Sequence, residues 1–301
     1  MAATLESAES AEGTGHHHGN QRQREHQRLT IGGKGSAAGQ FKHPFGVAVS
    51  DDGEIFVADC GNKRIQVFTL QGSFVRQFPT AVPGKGRMFV SDVALDAVGN
   101  LWVMQWAKYS KDFEHVVQYS PQGRMLRKID LKRTYIHRGV AVNTLTNHIL
   151  ITQITRDENN DTYGELLVYR PDGTFVRTLG VEEEMVSPWS IAVTEDGNIY
   201  VSDNNKSYIY VYNKDGQFLF KFGGNGSGEG QLKYPRGICA DKAGNIVVAD
   251  ASNSRVEMFD KNGGFLKHIT TDIETPWIPA MTMQGQLVVT DDVKNTVEIF
   301  H

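Results

Sequence analysis

From Arg28 onward, short apolar and β-branched runs alternate with turns of Gly, Asp and Asn, and the same succession returns along the whole chain. The clearest copy is Tyr234 to Phe259. Gly237-Ile238-Cys239-Ala240 is a short apolar run, Asp241 to Asn245 a turn, Ile246 to Ala249 a β-branched run, Asp250 to Ser254 a polar loop, and Arg255 to Phe259 an alternating segment. β-branched side chains suit a pleated surface, and Gly supplies the positive φ of tight hairpins, so the pattern predicts three successive strands. A weaker fourth follows at Gly264 to Ile269. The unit is a four-stranded meander.

Five further copies are readable. They are anchored on the first strands at Val47, Val93, Val140, Ile191 and Ala280, with Ile238 in the copy above. The anchors are separated by about 42 to 51 residues, the range of propeller blades, so the chain is expected to be all-β: a six-bladed β-propeller over residues 28–301. The sixth copy reaches His301 with three strands, while Arg28 to Gly32 is a strand without a copy of its own. A radial array leaves edges unless it closes, so Leu29 to Ile31 is expected to pair beside Val297 to Phe300.

Composition narrows this picture. Residues 1–27 hold Leu5 as their one large apolar side chain, which cannot offset the cost of ordering a backbone, and are expected to be a disordered tail. His16-His17-His18 within it reads as compositional rather than as a metal site. The two cysteines, Cys60 and Cys239, build neither a disulfide framework nor a zinc site and suit a reducing compartment. Neither a membrane span nor a secretory signal is readable, so a cytoplasmic location is expected. The net charge of -4 argues against an indiscriminate polyanion binder and leaves a local basic patch open.

The recurring pattern Pro-Xaa-Gly-Val, then Gly-Asn-Ile-Val-Val-Ala-Asp, then Asn-Xaa-Arg resembles NHL repeats. The best matches are Asp59 to Phe68 and Asp250 to Phe259. Six blades of this texture resemble the C-terminal propeller of TRIM-NHL proteins over about Arg28 to His301. The resemblance implies a propeller that binds RNA or protein partners. It does not carry over ligase activity, because that belongs to a RING, and this sequence has no Cys/His series for RING or B-box zinc sites and no coiled coil.

Asp59, Asp203, Asp250 and Asp291 all end second strands, and Arg64 and Arg255 open third strands. Recurrence in several blades favours architecture: each Asp accepts backbone N–H groups while the Arg pairs with it. The residues just ahead of each first strand vary instead, and in a propeller they gather on one face. They are Lys42, His43 and Phe45; Arg87 and Phe89; Tyr135, His137 and Arg138; Trp189; Lys233, Tyr234 and Arg236; and Trp277. Basic groups among aromatic rings suit phosphates and unpaired bases, so single-stranded or stem-loop RNA is the leading expectation. Loops after the second strands add Lys63, Arg64, Trp106, Lys108, Tyr109, Asn205, Lys206, Asn253 and Lys294. Against this stands the reading that Phe45, Phe89, Trp189 and Trp277 fill gaps between blades. The alternative function is a protein-interaction scaffold or substrate receptor linked to ubiquitin ligases. Neither DNA nor membrane is an expected partner, and no cofactor or metal is called for.

Enzyme-like signals are weak. Gly224 to Gly230 resembles a dinucleotide loop, but no helix pattern follows it. Asp157 to Asp161 begins like a calcium loop but has Thr162 and Val168 where Gly and Glu are needed. Some six-bladed propellers with related repeats are metal-dependent lyases or lactonases, whose ligands converge on the channel. Here His43, His115, His137, His148 and His268 fall at unmatched places in their repeats. A non-catalytic recognition module is expected.

Overall fold

In the computed structural model, the structure describes residues 28–107, 113–132, 138–156, 161–180 and 182–300. The expected tail lies outside them. Six antiparallel four-stranded sheets form a propeller. Blade one comprises Pro44–Val49, Glu54–Asp59, Arg64–Thr69 and Phe74–Pro79. Blade two comprises Phe89–Leu95, Leu101–Trp106, Phe113–Tyr119 and Met125–Lys132. Blade three comprises Val140–Asn143, His148–Arg156, Thr162–Tyr169 and Phe175–Leu179. Blade four comprises Pro188–Val193, Ile199–Asp203, Tyr208–Tyr212 and Phe218–Gly223. Blade five comprises Pro235–Ala240, Ile246–Asp250, Arg255–Phe259 and Phe265–Thr270.

Blade six takes Pro276–Met281, Leu287–Asp291 and Thr296–Phe300 from the end of the chain and Arg28–Gly32 from its start. Leu29 pairs with Ile299 and Ile31 with Val297, as the unmatched strand predicted. Glu298, almost fully buried, anchors this closure: Arg28 Nε donates to it at 2.9 Å and Thr30 Oγ1 at 2.6 Å. Burial opposes charge on Glu298, but hydrogen bonds from Arg28, Thr30 and Thr296 outweigh it and leave its pKa below the ordinary value.

Inner strands crowd around the axis, which is why Gly recurs in the Pro-Xaa-Gly-Val element. A Cβ on Gly46 would lie 2.6 Å from the Asp92 Cα, and one on Gly237 would lie 2.4 Å from the Trp277 carbonyl. The channel walls are otherwise chiefly aliphatic, with Val47, Val93, Ile191 and Ile238 among the lining residues and Asp92 the one carboxyl group among the described ones.

The repeated Asp residues hold turns. Asp59 accepts the Lys42 N–H at 2.8 Å and Arg64 Nε at 2.7 Å; Asp250 accepts the Lys233 N–H at 2.6 Å and Arg255 Nε at 2.8 Å. Arg64 also donates to the carbonyls of Ser36, Ala37 and Gln40. Arg255 treats Ser227, Gly228 and Gln231 the same way. Each signature Arg therefore pins the interblade loop that enters its blade, and the Gly224 to Gly230 segment is such a loop.

Three details differ from the pattern-based expectation. The second and third strands of blade three run to Arg156 and start at Thr162, longer than their apolar runs, because polar side chains pair across the extension. A two-stranded hairpin, Ala81–Val82 with Gly86–Arg87, lies between blades one and two, too short to show a periodicity. In blade six the register puts Pro279, not Ala280, opposite Val289, so Pro279 is the counterpart of Ile238.

Candidate functional site

The strand registers place Phe45, Ser91, Arg138, Trp189, Arg236 and Trp277 at one position of the six blades, at the entrance to the first strands. Hydroxyls of neighbouring blades fix the backbone there. Thr290 Oγ1 donates to the Phe45 carbonyl at 2.6 Å, Ser202 Oγ to that of Arg236 at 2.5 Å, and Ser91 Oγ to that of Arg138 at 3.2 Å.

Blades four, five, six and one bring their side chains together. Phe45 and Trp277 stack with centroids 4.4 Å apart and an interplanar angle of 8°. The Arg236 guanidinium sits 3.8 Å from the Trp277 ring centroid, and Trp189 meets Trp277 edge-on at 6.0 Å. His43, 6.4 Å from Phe45 ring to ring, extends the cluster outward. Arg236 is half-buried, and its Nη1 has no hydrogen-bond partner among the described residues. Burial lowers its pKa, and Asp292 nearby acts in the opposite direction. This is a guanidinium with no direct ion pair among the described residues, 3.8 Å from the centre of an indole ring at the mouth of an apolar channel.

Two turn tips flank the cluster. His43 and Tyr234 adopt the left-handed conformation at φ 55° and 49°, each between an exposed Lys and a Pro. The conformation is held by hydrogen bonds: the His43 N–H donates to Asn295 Oδ1 at 2.9 Å and the Tyr234 N–H to Ser207 Oγ at 3.4 Å. Tyr234 is half exposed, and Lys42 and Lys233 face solvent beside these tips.

The structure therefore joins His43, Phe45, Trp189, Arg236 and Trp277, with Lys42, Lys233 and Tyr234 adjacent. It corrects other expectations. Arg138 does not reach the face: only 3% exposed, it pairs with Glu114 at 2.9 Å and donates to the Lys132 carbonyl and to Gln153. Phe45 and Trp277 are buried, each only 8% exposed, with Trp277 between Phe45 and Arg236, so neither is an open platform for a base; both serve the gap-filling role. Phe89 is likewise covered, by Trp106 at 4.6 Å and by Lys63 Nζ at 4.3 Å. Arg87 is exposed on the small hairpin, apart from the stacked cluster. Tyr135, His137, Lys108 and Tyr109 lie outside the described residues, as does the tip from Asp157 to Asn160.

One member was missed in the sequence. Asp292 Oδ1 lies 2.9 Å from His43 Nδ1. It follows Asp291, whose turn-holding role masked the second acid; the doubled Asp was the available signal.

A family model described as a 6-bladed beta-propeller matches residues 182–295, and an NHL repeat model matches residues 41–68. The chain is 26% identical over 189 residues to Protein brain tumor of Drosophila melanogaster, covering 63% of this chain and 13% of that protein. It is 30% identical over 135 residues to B-box type zinc finger protein ncl-1 of Caenorhabditis elegans, covering 44% of this chain and 16% of that protein. It is 44% identical over 54 residues to human E3 ubiquitin-protein ligase TRIM32, covering 17% and 8%. The matches thus span less than a fifth of each relative's length. Among solved structures, a streptogramin B lyase aligns with TM-score 0.63 at 14% identity, covering 91% of this chain and 97% of that one. The gluconolactonase XC5397 of Xanthomonas campestris aligns with TM-score 0.62 at 18% identity, covering 87% and 86%. At such identities these likenesses show the fold alone.

Proposed function

This chain is a six-bladed NHL-repeat propeller related to TRIM-NHL proteins, and from that premise we propose that it is a non-catalytic recognition module that binds single-stranded or looped RNA. The binding surface is the arc of blades five, six and one. The observation that carries the reading is Arg236, a half-buried guanidinium 3.8 Å from the Trp277 ring centroid, with an enclosed Nη1 that has no hydrogen-bond partner among the described residues, flanked by the two Lys-aromatic-Pro tips. Lys42 and Lys233 supply phosphate contacts. Tyr234 and the outer face of Arg236 supply planes on which unpaired bases stack. Trp277 and Phe45 act beneath them, fixing the guanidinium. Among the described residues the channel lining offers one carboxyl group, Asp92, rather than converging ligands. Asp292, beside the cluster, is engaged with His43.

The test is the salt dependence of binding to random-sequence single-stranded RNA. Arg236→Ala and Lys233→Ala should each flatten the slope of log affinity against log salt by about one unit, while Arg127→Ala, on the outer strand of blade two, should leave it unchanged. Equal slopes for all three variants would sink the assignment. Recovery of proteins without RNA from cross-linked cells would turn the same arc into a protein-binding surface.

A further inference from the structure

Gln66, Glu257 and Glu298 occupy one position, the third residue of the third strand in blades one, five and six. In blade one the amide is fully used. Gly39 N–H donates to Gln66 Oε1 at 2.9 Å, and Gln66 Nε2 donates to the Gln40 carbonyl at 2.7 Å and to Asp59 Oδ2 at 3.1 Å. Blade five repeats these surroundings, with Gly230, Gln231, Asp250 and Arg255 in place of Gly39, Gln40, Asp59 and Arg64. At its centre stands Glu257, with no exposed surface.

A carboxylate in that place can accept from the Gly230 N–H but has nothing to donate to the Gln231 carbonyl or to Asp250. Neither Glu257 oxygen has an aligned hydrogen-bond partner among the described residues. The basic groups facing it are Arg255, with Nη2 at 3.1 Å, and the imidazole of His268 on the outer strand, with Nδ1 at 3.2 Å. Arg255 is already shared among Asp250 and three carbonyls of the interblade loop. Asp250, and Glu229 on the loop itself, add negative charge. Glu298 shows the contrast: it has Arg28 from the closing strand and two hydroxyls.

We infer that Glu257 stays a carboxylic acid in the folded protein well above the pH at which a free glutamate ionises, and that its proton replaces the Gln66 amide in holding the loop that leads into Lys233, Tyr234 and Arg236. Burial, first, pushes this carboxyl up to about 7; Arg255 opposes that and Asp250 reinforces it. Loss of the proton leaves a carboxylate that repels Asp250 and competes for Arg255 Nη2 with the Gly228 and Gln231 carbonyls. The loop is then loosened at the point where it enters the recognition arc. The link to recognition rests on the RNA reading above; the protonation does not.

The folded state keeps this proton to about pH 7, whereas the unfolded chain releases it near the ordinary value of 4.5. Folding stability therefore falls as pH rises through that window and levels off above it. Asp92 titrates in the same window, so the informative quantity is the difference between variants. Melting temperatures of the full chain should be compared from about pH 5 to about pH 8.5 for wild type, Glu257→Gln and Gln66→Glu. Relative to wild type, Glu257→Gln should gain stability as pH rises to about 7 and hold that gain above it, and Gln66→Glu should lose stability. Parallel curves for all three overturn the protonation, as does a Glu257 carboxyl carbon that titrates like a free glutamate by NMR. With random-sequence single-stranded RNA above pH 7, wild type should bind several-fold more weakly than Glu257→Gln. Equal binding, with the melting difference present, overturns the link to recognition alone. No RNA binding by any variant at any pH overturns the RNA reading and leaves the protonation to the melting curves.

Discussion

Arg138 and Glu114 form an ion pair 2.9 Å long between blades three and two, with side chains only 1% and 7% exposed. Removing one partner of such a pair strands a buried charge, at a cost of about 3–5 kcal/mol. Arg138→Ala is expected to melt far below wild type, while its folded fraction keeps the wild-type salt slope for RNA. An unchanged melting curve would show that the pair contributes nothing to stability.

Tyr234 should separate stacking from folding. Its side chain is half exposed and its backbone is fixed by the turn, so Tyr234→Ala should leave the melting temperature within a degree or so of wild type and weaken RNA binding by about 1–3 kcal/mol. Tyr234→Phe should bind like wild type. Titration of both variants with the same RNA pool decides the point; equal affinity for all three removes Tyr234 from the interface.

The blade-six closure should be acid-sensitive. Arg28, Thr30 and Thr296 hold the Glu298 pKa below its ordinary value of 4.5 despite burial. This stabilisation is present above that value and is lost as pH falls through the lower pKa of the folded state. Arg28→Ala should therefore cost about 1–3 kcal/mol near neutral pH, and the gap to wild type should narrow in acid. Denaturant titrations at several pH values measure it, and a gap independent of pH would show that the Arg28–Glu298 pair is not its source.

Asp92 should behave in the opposite sense. Its carboxyl accepts the Val93 and Val140 N–H groups at 2.9 and 3.0 Å, yet burial in the channel wall dominates and pushes it up to about 7. Stability associated with the neutral acid is present at low pH and is lost as pH rises toward 7. Asp92→Asn, which imitates the protonated form, should flatten that part of the profile and gain on wild type above pH 7 by about 1–3 kcal/mol. A variant that loses ground there would show that the two N–H donors outweigh desolvation.

Much of this architecture was legible without coordinates. The six meanders and the closing strand were readable because a blade is a local object: its apolar runs, Gly turns and Asp-bounded loops sit within about fifty residues of one another. The structural role of Asp59 and Asp250 was also readable, since one ligand site rarely needs the same residue in every repeat. Arg138 was not. It stands where Arg236 stands, in the blade-three copy of the same position, and nothing local distinguishes them. Glu114, which draws it inward, belongs to the neighbouring blade.

The same limit applies to the aromatic residues. Sequence placed Phe45 and Trp277 just ahead of the first strands of the first and last blades, but their matching register came from the strand pairing and their stacking depends on ring closure, which brings the two ends of the chain side by side. Gln66, Glu257 and Glu298 share one position of their third strands. Whether each side chain is neutral, protonated or ionised was decided by its tertiary partners: an amide set between a donor and acceptors, an Arg shared with Asp250, and an Arg delivered by the closing strand. The sequence by itself determined the blade, because short-range periodicity fixes strands and turns. Tertiary structure alone decided which charges face solvent and which are paired, because electrostatic energy in a buried site depends on neighbours that the chain brings in from other blades.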